Sequence, residues 1–193
     1  MKKLIVTEFM SLDGVFEAPG PDGSGFKYEG WTMPYMGEEQ MRFKLNETFA
    51  SDALLLGRIT YEGFAKAWPG RKDEVGFADK FNPMPKYVVS ETLKKVDWNN
   101  SHIISSNFVE EIQKLKDQKG GDILVAGSGQ LVRFLIEHGL VDQLTILLYP
   151  VILGAGKRLF DGVKKSDLKL FESKPFKTGV VLLKYEPAKA KNK

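Results

Sequence analysis

The sequence predicts an α/β protein: a central mixed, mostly parallel sheet flanked by helices and closed by a C-terminal antiparallel hairpin. Three observations carry this. Short β-rich apolar segments alternate with helical patterns along most of the chain, the order that builds parallel sheets. Two strand-to-helix junctions are marked by glycine, at Gly57 and at Gly127 to Gly129. The chain then ends on two alternating strands, Leu168 to Glu172 and Val180 to Tyr185, joined through Lys177-Thr178-Gly179.

Taken in order, Lys3 to Phe9 is nearly continuous in apolar character, as a buried central strand should be. Ser11-Leu12-Asp13-Gly14 makes a turn, and Ala18 to Gly30, rich in glycine and proline, is a long irregular loop of the kind that carries function. Met41, Leu45 and Phe49 repeat at helical spacing within Glu38 to Ala50. Ala53 to Leu56 is a short buried strand that runs into a helix beginning at Gly57-Arg58. Lys86 to Ser90 and His102 to Ile104 are further strands. Asn107 and Glu110 read as a capping box for a helix whose Val109, Ile112 and Leu115 share one face. Asp122 to Ala126 is a strand, and Gly127-Ser128-Gly129 opens a helix with Leu131, Phe134 and Leu135 inward, ended by Gly139. Asp142 to Val151 is a long strand. No repeat or linker divides the chain, so one domain is expected over residues 1–187, followed by a disordered basic tail over 188–193.

Composition removes several function classes. The formal charge of +3 matches the three tail lysines Lys189, Lys191 and Lys193, so the body is close to neutral and nucleic-acid binding is not expected. There is no cysteine and there are only two histidines, His102 and His138, which leaves no thiolate chemistry and no expected metal site. Met1 to Val6 begins like a signal peptide but meets Glu8 at once. The apolar run from Ile146 to Leu153 is far below the roughly 20 residues of a membrane helix. A soluble cytoplasmic protein without a membrane partner is the expectation.

Chemistry concentrates at the two glycine junctions. The first turn of any helix has amides without intrahelical acceptors and the positive end of the dipole, which together favour anions. Glycine lets a phosphate approach the backbone. Leu56-Gly57-Arg58-Ile59-Thr60 adds a guanidinium and a hydroxyl; Gly127-Ser128-Gly129-Gln130 adds a second hydroxyl. Two such sites at the carboxyl ends of strands in one sheet would grip a dinucleotide along its phosphates. A tight βα turn also explains a glycine without any ligand. The full Rossmann pattern fails, because Val132 stands where a third glycine or alanine belongs. Gly154-Ala155-Gly156-Lys157 is half a P-loop followed by Arg158, and reads as a turn.

These motifs resemble the dihydrofolate reductase superfamily, especially the branch containing the reductase domain of the bifunctional riboflavin-biosynthesis enzyme. The resemblance runs from Leu4 to about Tyr185. It rests on Ser11-Leu12-Asp13-Gly14, Trp31-Thr32-Met33-Pro34, Leu56-Gly57-Arg58-Ile59-Thr60-Tyr61-Glu62, Val88-Val89-Ser90 and Gly127-Ser128-Gly129-Gln130, in that order. It implies a dihydrofolate reductase-like three-layer fold and an NADPH-dependent oxidoreductase acting on a small pterin-like or pyrimidine-like heterocycle. By the same resemblance Arg58, Thr60 and Ser90 hold the 2′-phosphate and pyrophosphate. Gly57 belongs to the first junction, and Gly127, Ser128, Gly129, Gln130 and Leu131 line the pyrophosphate and ribose. Asp13 and Gly14 lie against the nicotinamide, and the loop from Ala18 to Gly30 acts as a lid.

Two departures leave the substrate open. The family's pteridine-binding carboxylate falls at Met36, so Glu38 or Glu39 is the candidate substitute, although acids in a first helical turn are also stabilised by the dipole. The riboflavin reductases carry a strand lysine where this chain has Thr7. Asp13, Glu38 and Glu39 are thus the candidate catalytic residues, and no proton donor is evident. The alternative is a non-catalytic NADPH-binding protein of the same fold. A homodimer is expected, because Leu144 to Leu153 and the closing hairpin are more apolar than a lone edge should be. The family's cis peptide in the pyrophosphate loop is expected at Gly127–Ser128, against an ordinary trans turn with Ser128 as N-cap.

Overall fold

The structure is a computed structural model that describes residues 1–188. Eight strands form one sheet: β1 (Leu4–Ser11), β2 (Ser51–Gly57), β3 (Lys86–Val89), β4 (Ser101–Ile104), β5 (Asp122–Ala126), β6 (Gln143–Tyr149), β7 (Leu168–Pro175) and β8 (Val181–Pro187). Among the described residues five α-helices, α1 (Glu38–Ala50), α2 (Arg58–Ala67), α3 (Phe77–Phe81), α4 (Phe108–Asp117) and α5 (Gly129–Glu137), and a 3₁₀ turn over Met33–Tyr35 accompany them. The strand order is β4-β3-β2-β5-β1-β6-β8-β7. The first six strands of that order run parallel, and β8 and β7 are antiparallel, as the alternating C-terminal segments predict. Of the expected tail, Ala188 is described, its amide donating to the Asp167 carbonyl at 2.9 Å; 189–193 lie outside the described residues.

The centre of the sheet is buried on both faces, which is why β1, β2 and β5 read as continuous apolar runs. On one face Leu4, Val6, Leu55, Val125 and Ile146 pack under α4 and α5. On the other, Ile5, Leu54 and Leu56 pack with Tyr61, Phe81 and Trp98, and Phe9, Leu147 and Tyr149 pack with Trp31 and Phe43. Lys86 is buried in β3, its ammonium donating to the Asn82 and Asn99 carbonyls at 2.7 and 2.9 Å; burial lowers its pKa to about 8.

Three local expectations change. In α1 the inward residues are Gln40, Phe43, Lys44, Glu47 and Thr48, whereas Phe49 is exposed and Met41 and Leu45 are only half buried. A polar stripe, not the apolar one, faces the sheet. In α4 Val109 is exposed, and Phe108 packs inward with Ile112 and Leu115. Asn107 makes no side-chain cap: its φ of 50° is left-handed, a conformation asparagine tolerates.

Candidate functional site

The carboxyl ends of β1, β2, β3, β5 and β6 share one edge of the sheet. The chain leaves β1 through α1 on one face and leaves β5 through α5 on the other. Since β1 and β5 are neighbours, their carboxyl ends form a topological switch point, where open α/β sheets bind ligands.

The adjacency of β2 and β5 brings the two glycine junctions together. Ser128 Oγ accepts from the Gly57 amide at 2.9 Å and donates to Thr60 Oγ1 at 2.8 Å. One hydroxyl thus ties the start of α2 to the start of α5. The expected cis bond is absent: Gly127–Ser128 is trans, and φ values of 59° and 66° turn this backbone instead. Nor does Ser128 cap its own helix, since its hydroxyl is spent on the other junction. Neither α2 nor α5 has a side-chain cap, which leaves their first-turn amides without intrahelical acceptors. Gly129 is favoured for a different reason: a Cβ there would lie 2.2 Å from Phe16 Cζ, so the ring would have to move.

Arg58 lies beside this pair, exposed and held by Glu62 of the next turn at 3.1 Å to each carboxylate oxygen. Because Gly57 is in register with Val89, Ser90 follows at the level of Arg58. The Ser90 hydroxyl accepts the Leu93 amide at 3.0 Å and closes the turn after β3. Gln130 is exposed on the first turn of α5, and Leu131 is buried beneath it.

The candidate acids are placed otherwise. Asp13 accepts from the Ser11 hydroxyl at 2.7 Å, the Leu153 amide at 3.1 Å and the Gly154 amide at 2.9 Å. The Ser11 hydrogen bond leads in holding its pKa down to about 2. Asp13 therefore latches the loop after β6 to the turn after β1, and Gly14 at φ 85° completes that turn. Gly154 to Lys157 is a bend in the latched loop, with Lys157 paired to Glu17 at 2.7 Å. The loop from Ala18 to Gly30 is anchored at its base, where Trp31 Nε1 donates to the Glu17 carbonyl at 2.8 Å and the Thr32 hydroxyl to the Pro19 carbonyl at 2.6 Å. Glu38 is exposed and paired with Arg42. Glu39 accepts the Lys177 amide at 3.2 Å, so it braces the hairpin tip.

Two groups escaped the sequence reading. On the α1 face, Lys44 Nζ donates to Thr7 Oγ1 at 2.8 Å and pairs with Glu47, so a helix brings an ammonium to the Thr7 position of β1. On the opposite face, Glu8 is buried with Oε1 unpartnered among the described residues. Burial pushes its pKa up to about 8, with Lys44 opposing and Glu47 adding to the rise. The available signals were a charged residue within an apolar strand and a polar residue at every helical turn of α1.

A model of the RibD C-terminal domain family matches residues 2–182. The uncharacterized protein YyaP of Bacillus subtilis (strain 168) is 35% identical over 190 residues, 95% of this chain and 94% of that protein. A structure described as a riboflavin biosynthesis protein from Shewanella sp. PV-4 superposes with a TM-score of 0.74 at 18% identity, covering 97% of this chain and 99% of that one. Dihydrofolate reductase from Enterococcus faecalis, complexed with NADP(H), gives a TM-score of 0.64 at 16% identity, covering 97% of each chain. These two likenesses establish a dihydrofolate reductase-like fold.

Proposed function

The chain belongs to the RibD C-terminal domain family, and from that premise we propose that it is an NADPH-dependent reductase of a pterin-like or pyrimidine-like heterocycle. The observation that carries the reading is the Ser128 hydroxyl bridging two uncapped helix N-termini at a switch point. Two first turns held side by side suit two linked phosphates, and the left-handed Gly127 gives them backbone access. In this reading Gly57, Thr60, Gly127, Ser128, Gly129, Gln130 and Leu131 contact the pyrophosphate and ribose, while Arg58 and Ser90 take the 2′-phosphate. Arg58 is suited to this because Glu62 holds it through Nη1 alone, so the rest of its planar fork remains to donate to a phosphate. Gly14 stays with the nicotinamide end, and Asp13 acts through the loop it holds. NADPH supplies a hydride when bound.

A second reading, a non-catalytic NADPH-binding protein, is favoured by the engagement of Asp13, Glu38 and Glu39 in structural contacts. One experiment separates the two. NADPH and NADH are titrated against the protein, and NADPH oxidation is then followed with dihydropterins and ribosylaminopyrimidines. Tight binding of NADPH with turnover of one ring class supports the reductase; binding without any turnover supports the second reading; no binding refutes both.

The proposal includes a homodimer. Leu144 to Leu147 do not support it as expected, because they are buried within β6, an interior strand. The support is β7, a sheet edge exposed along its whole length with Leu168, Leu170 and Phe171 at 43–47% exposure. A cytoplasmic location belongs to the same proposal, since the enzyme would draw on NADPH there. Among the described residues no helix is long and apolar enough to cross a membrane.

A further inference from the structure

Glu8 is the buried ionisable group that the foregoing contacts leave without a role. The register fixes where it stands. Strand β1 pairs with β5 only as far as Thr7 opposite Ala126, whereas on its other side it stays paired with β6 through Ser11. Glu8 is thus the first residue past the β5 pairing, level with the Gly127–Ser128 turn, where the two strands part. Its partner across β6 is Ile146, which packs with Leu131, Val132 and Leu135 of α5. Register partners project from the same face of a sheet, so the Glu8 side chain lies under α5 at the switch point. It is 4% exposed, and Oε1 has no hydrogen-bond partner among the described residues. The Lys44 ammonium, which would be its natural counter-charge, lies on the other face and is committed to Thr7 and Glu47.

Buried polar groups in native proteins are nearly always satisfied, and this one stands beside the crevice, where a ligand can supply the partner. Resting on the reductase reading, we propose that the Glu8 carboxyl pairs with an amide edge, an N–H beside a C=O, of a ligand bound where β1 and β5 part. A neutral carboxylic acid offers one O–H donor and one C=O acceptor side by side, the complement of such an edge. Burial keeps Glu8 in that neutral form at ordinary pH. Both the nicotinamide carboxamide and the lactam of a pterin or pyrimidine present this edge.

The test compares wild type with Glu8→Gln and Glu8→Met. Glutamine keeps a donor and an acceptor; methionine keeps only the volume. Three dissociation constants are measured by tryptophan fluorescence: for NADPH, for 2′,5′-ADP, which lacks the nicotinamide, and for dihydrofolate as the lactam probe. Melting temperature of the free protein is followed alongside. The expected result is that Glu8→Met melts no lower than wild type, yet binds one amide-bearing ligand about ten-fold more weakly, while Glu8→Gln stays within about three-fold. Loss for NADPH but not for 2′,5′-ADP assigns the edge to the nicotinamide. Loss for dihydrofolate alone assigns it to the heterocycle. If Glu8→Met binds all three probes as wild type does, or weakens 2′,5′-ADP equally, the assignment of Glu8 is overturned and the reductase reading stands. A wild type that binds none of the probes overturns both.

Discussion

Replacing Glu8 by glutamine should change how stability depends on pH, and the structure sets the size of the effect. Burial raises the carboxyl from 4.5 to about 8 in the folded protein. Between those values the folded state keeps a proton that the unfolded chain has released. Stability then falls as pH rises, by about 1.4 kcal/mol per pH unit. Below the lower value both states are protonated, so the group contributes its full share; the loss is complete once pH has passed the folded value. Over the whole window the loss reaches about 5 kcal/mol, a large part of the roughly 5–15 kcal/mol that holds an ordinary domain together. The charged groups that act on Glu8 are Lys44 and Glu47 of α1, which oppose each other. On α5, Arg133 is engaged with the Leu159 carbonyl at 3.2 Å, and no acid stands in the first turn of that helix. Glutamine cannot ionise, so this slope should vanish in the variant. Urea unfolding of both proteins from about pH 5 to about pH 8 provides the measurement. Midpoints that stay parallel across the range would show that Glu8 ionises as easily folded as unfolded, and would refute the argument.

Other expectations follow from single contacts. Arg58→Ala should raise the NADPH dissociation constant about ten-fold and leave NADH unchanged, since a charge-assisted contact contributes about 1.5–3 kcal/mol; equal weakening of both cofactors rejects the 2′-phosphate assignment. The Arg58–Glu62 pair is exposed and worth at most about 1 kcal/mol, so Glu62→Gln should tighten NADPH by no more than about five-fold. Gly129→Ala should destabilise by about 1–3 kcal/mol through overpacking against Phe16, and a second change, Phe16→Leu, should recover most of it in thermal melts. Asp13→Asn should flatten the loss of stability on acidification. Its depressed carboxyl stabilises above the ordinary value of 3.8, and that contribution fades as pH falls towards about 2. Sedimentation at micromolar concentration should give a dimer that Leu170→Lys together with Phe171→Glu converts to monomer; a wild-type monomer removes the β7 interface.

What the sequence disclosed and what it concealed divide along one physical line. Strands β1, β2 and β5 were legible because burial on both faces imposes a continuous apolar run, and the closing hairpin because two β-rich segments flank a glycine turn, even though β7 is exposed. The glycine junctions were legible because a tight turn and a helix start lie within five residues. The inward face of α1 was not, because the rule that finds helix faces looks for apolar residues, and this helix turns Gln40, Lys44 and Thr48 to the sheet. Its apolar residues Met41, Leu45 and Phe49 lie nearer solvent, so the periodicity was real and the side was wrong. The short helix α3 and the 3₁₀ turn over Met33–Tyr35 escaped for a simpler reason: each is too brief to show a period.

The Gly127–Ser128 turn shows why a motif can keep its place and change its geometry. A serine in a phosphate loop invites two readings, a helix cap or a ligand contact, and both treat the hydroxyl as serving its own helix. Here the hydroxyl joins a partner 71 residues earlier, the Gly57 amide, and Thr60 one turn beyond it. That link depends on β2 and β5 being neighbours, which only the folded sheet decides. It also accounts for the trans peptide, because left-handed backbone at Gly127 and Ser128 already aims the hydroxyl across the junction. Ser128→Ala would leave the Gly57 amide without its acceptor and the two helix starts without their shared tie. Ser128→Gly would do the same while relaxing the left-handed strain. Both should therefore weaken cofactor binding, and the alanine variant should also melt lower than the glycine one. If alanine binds NADPH as wild type does, the bridge supports the fold but contributes nothing to the site.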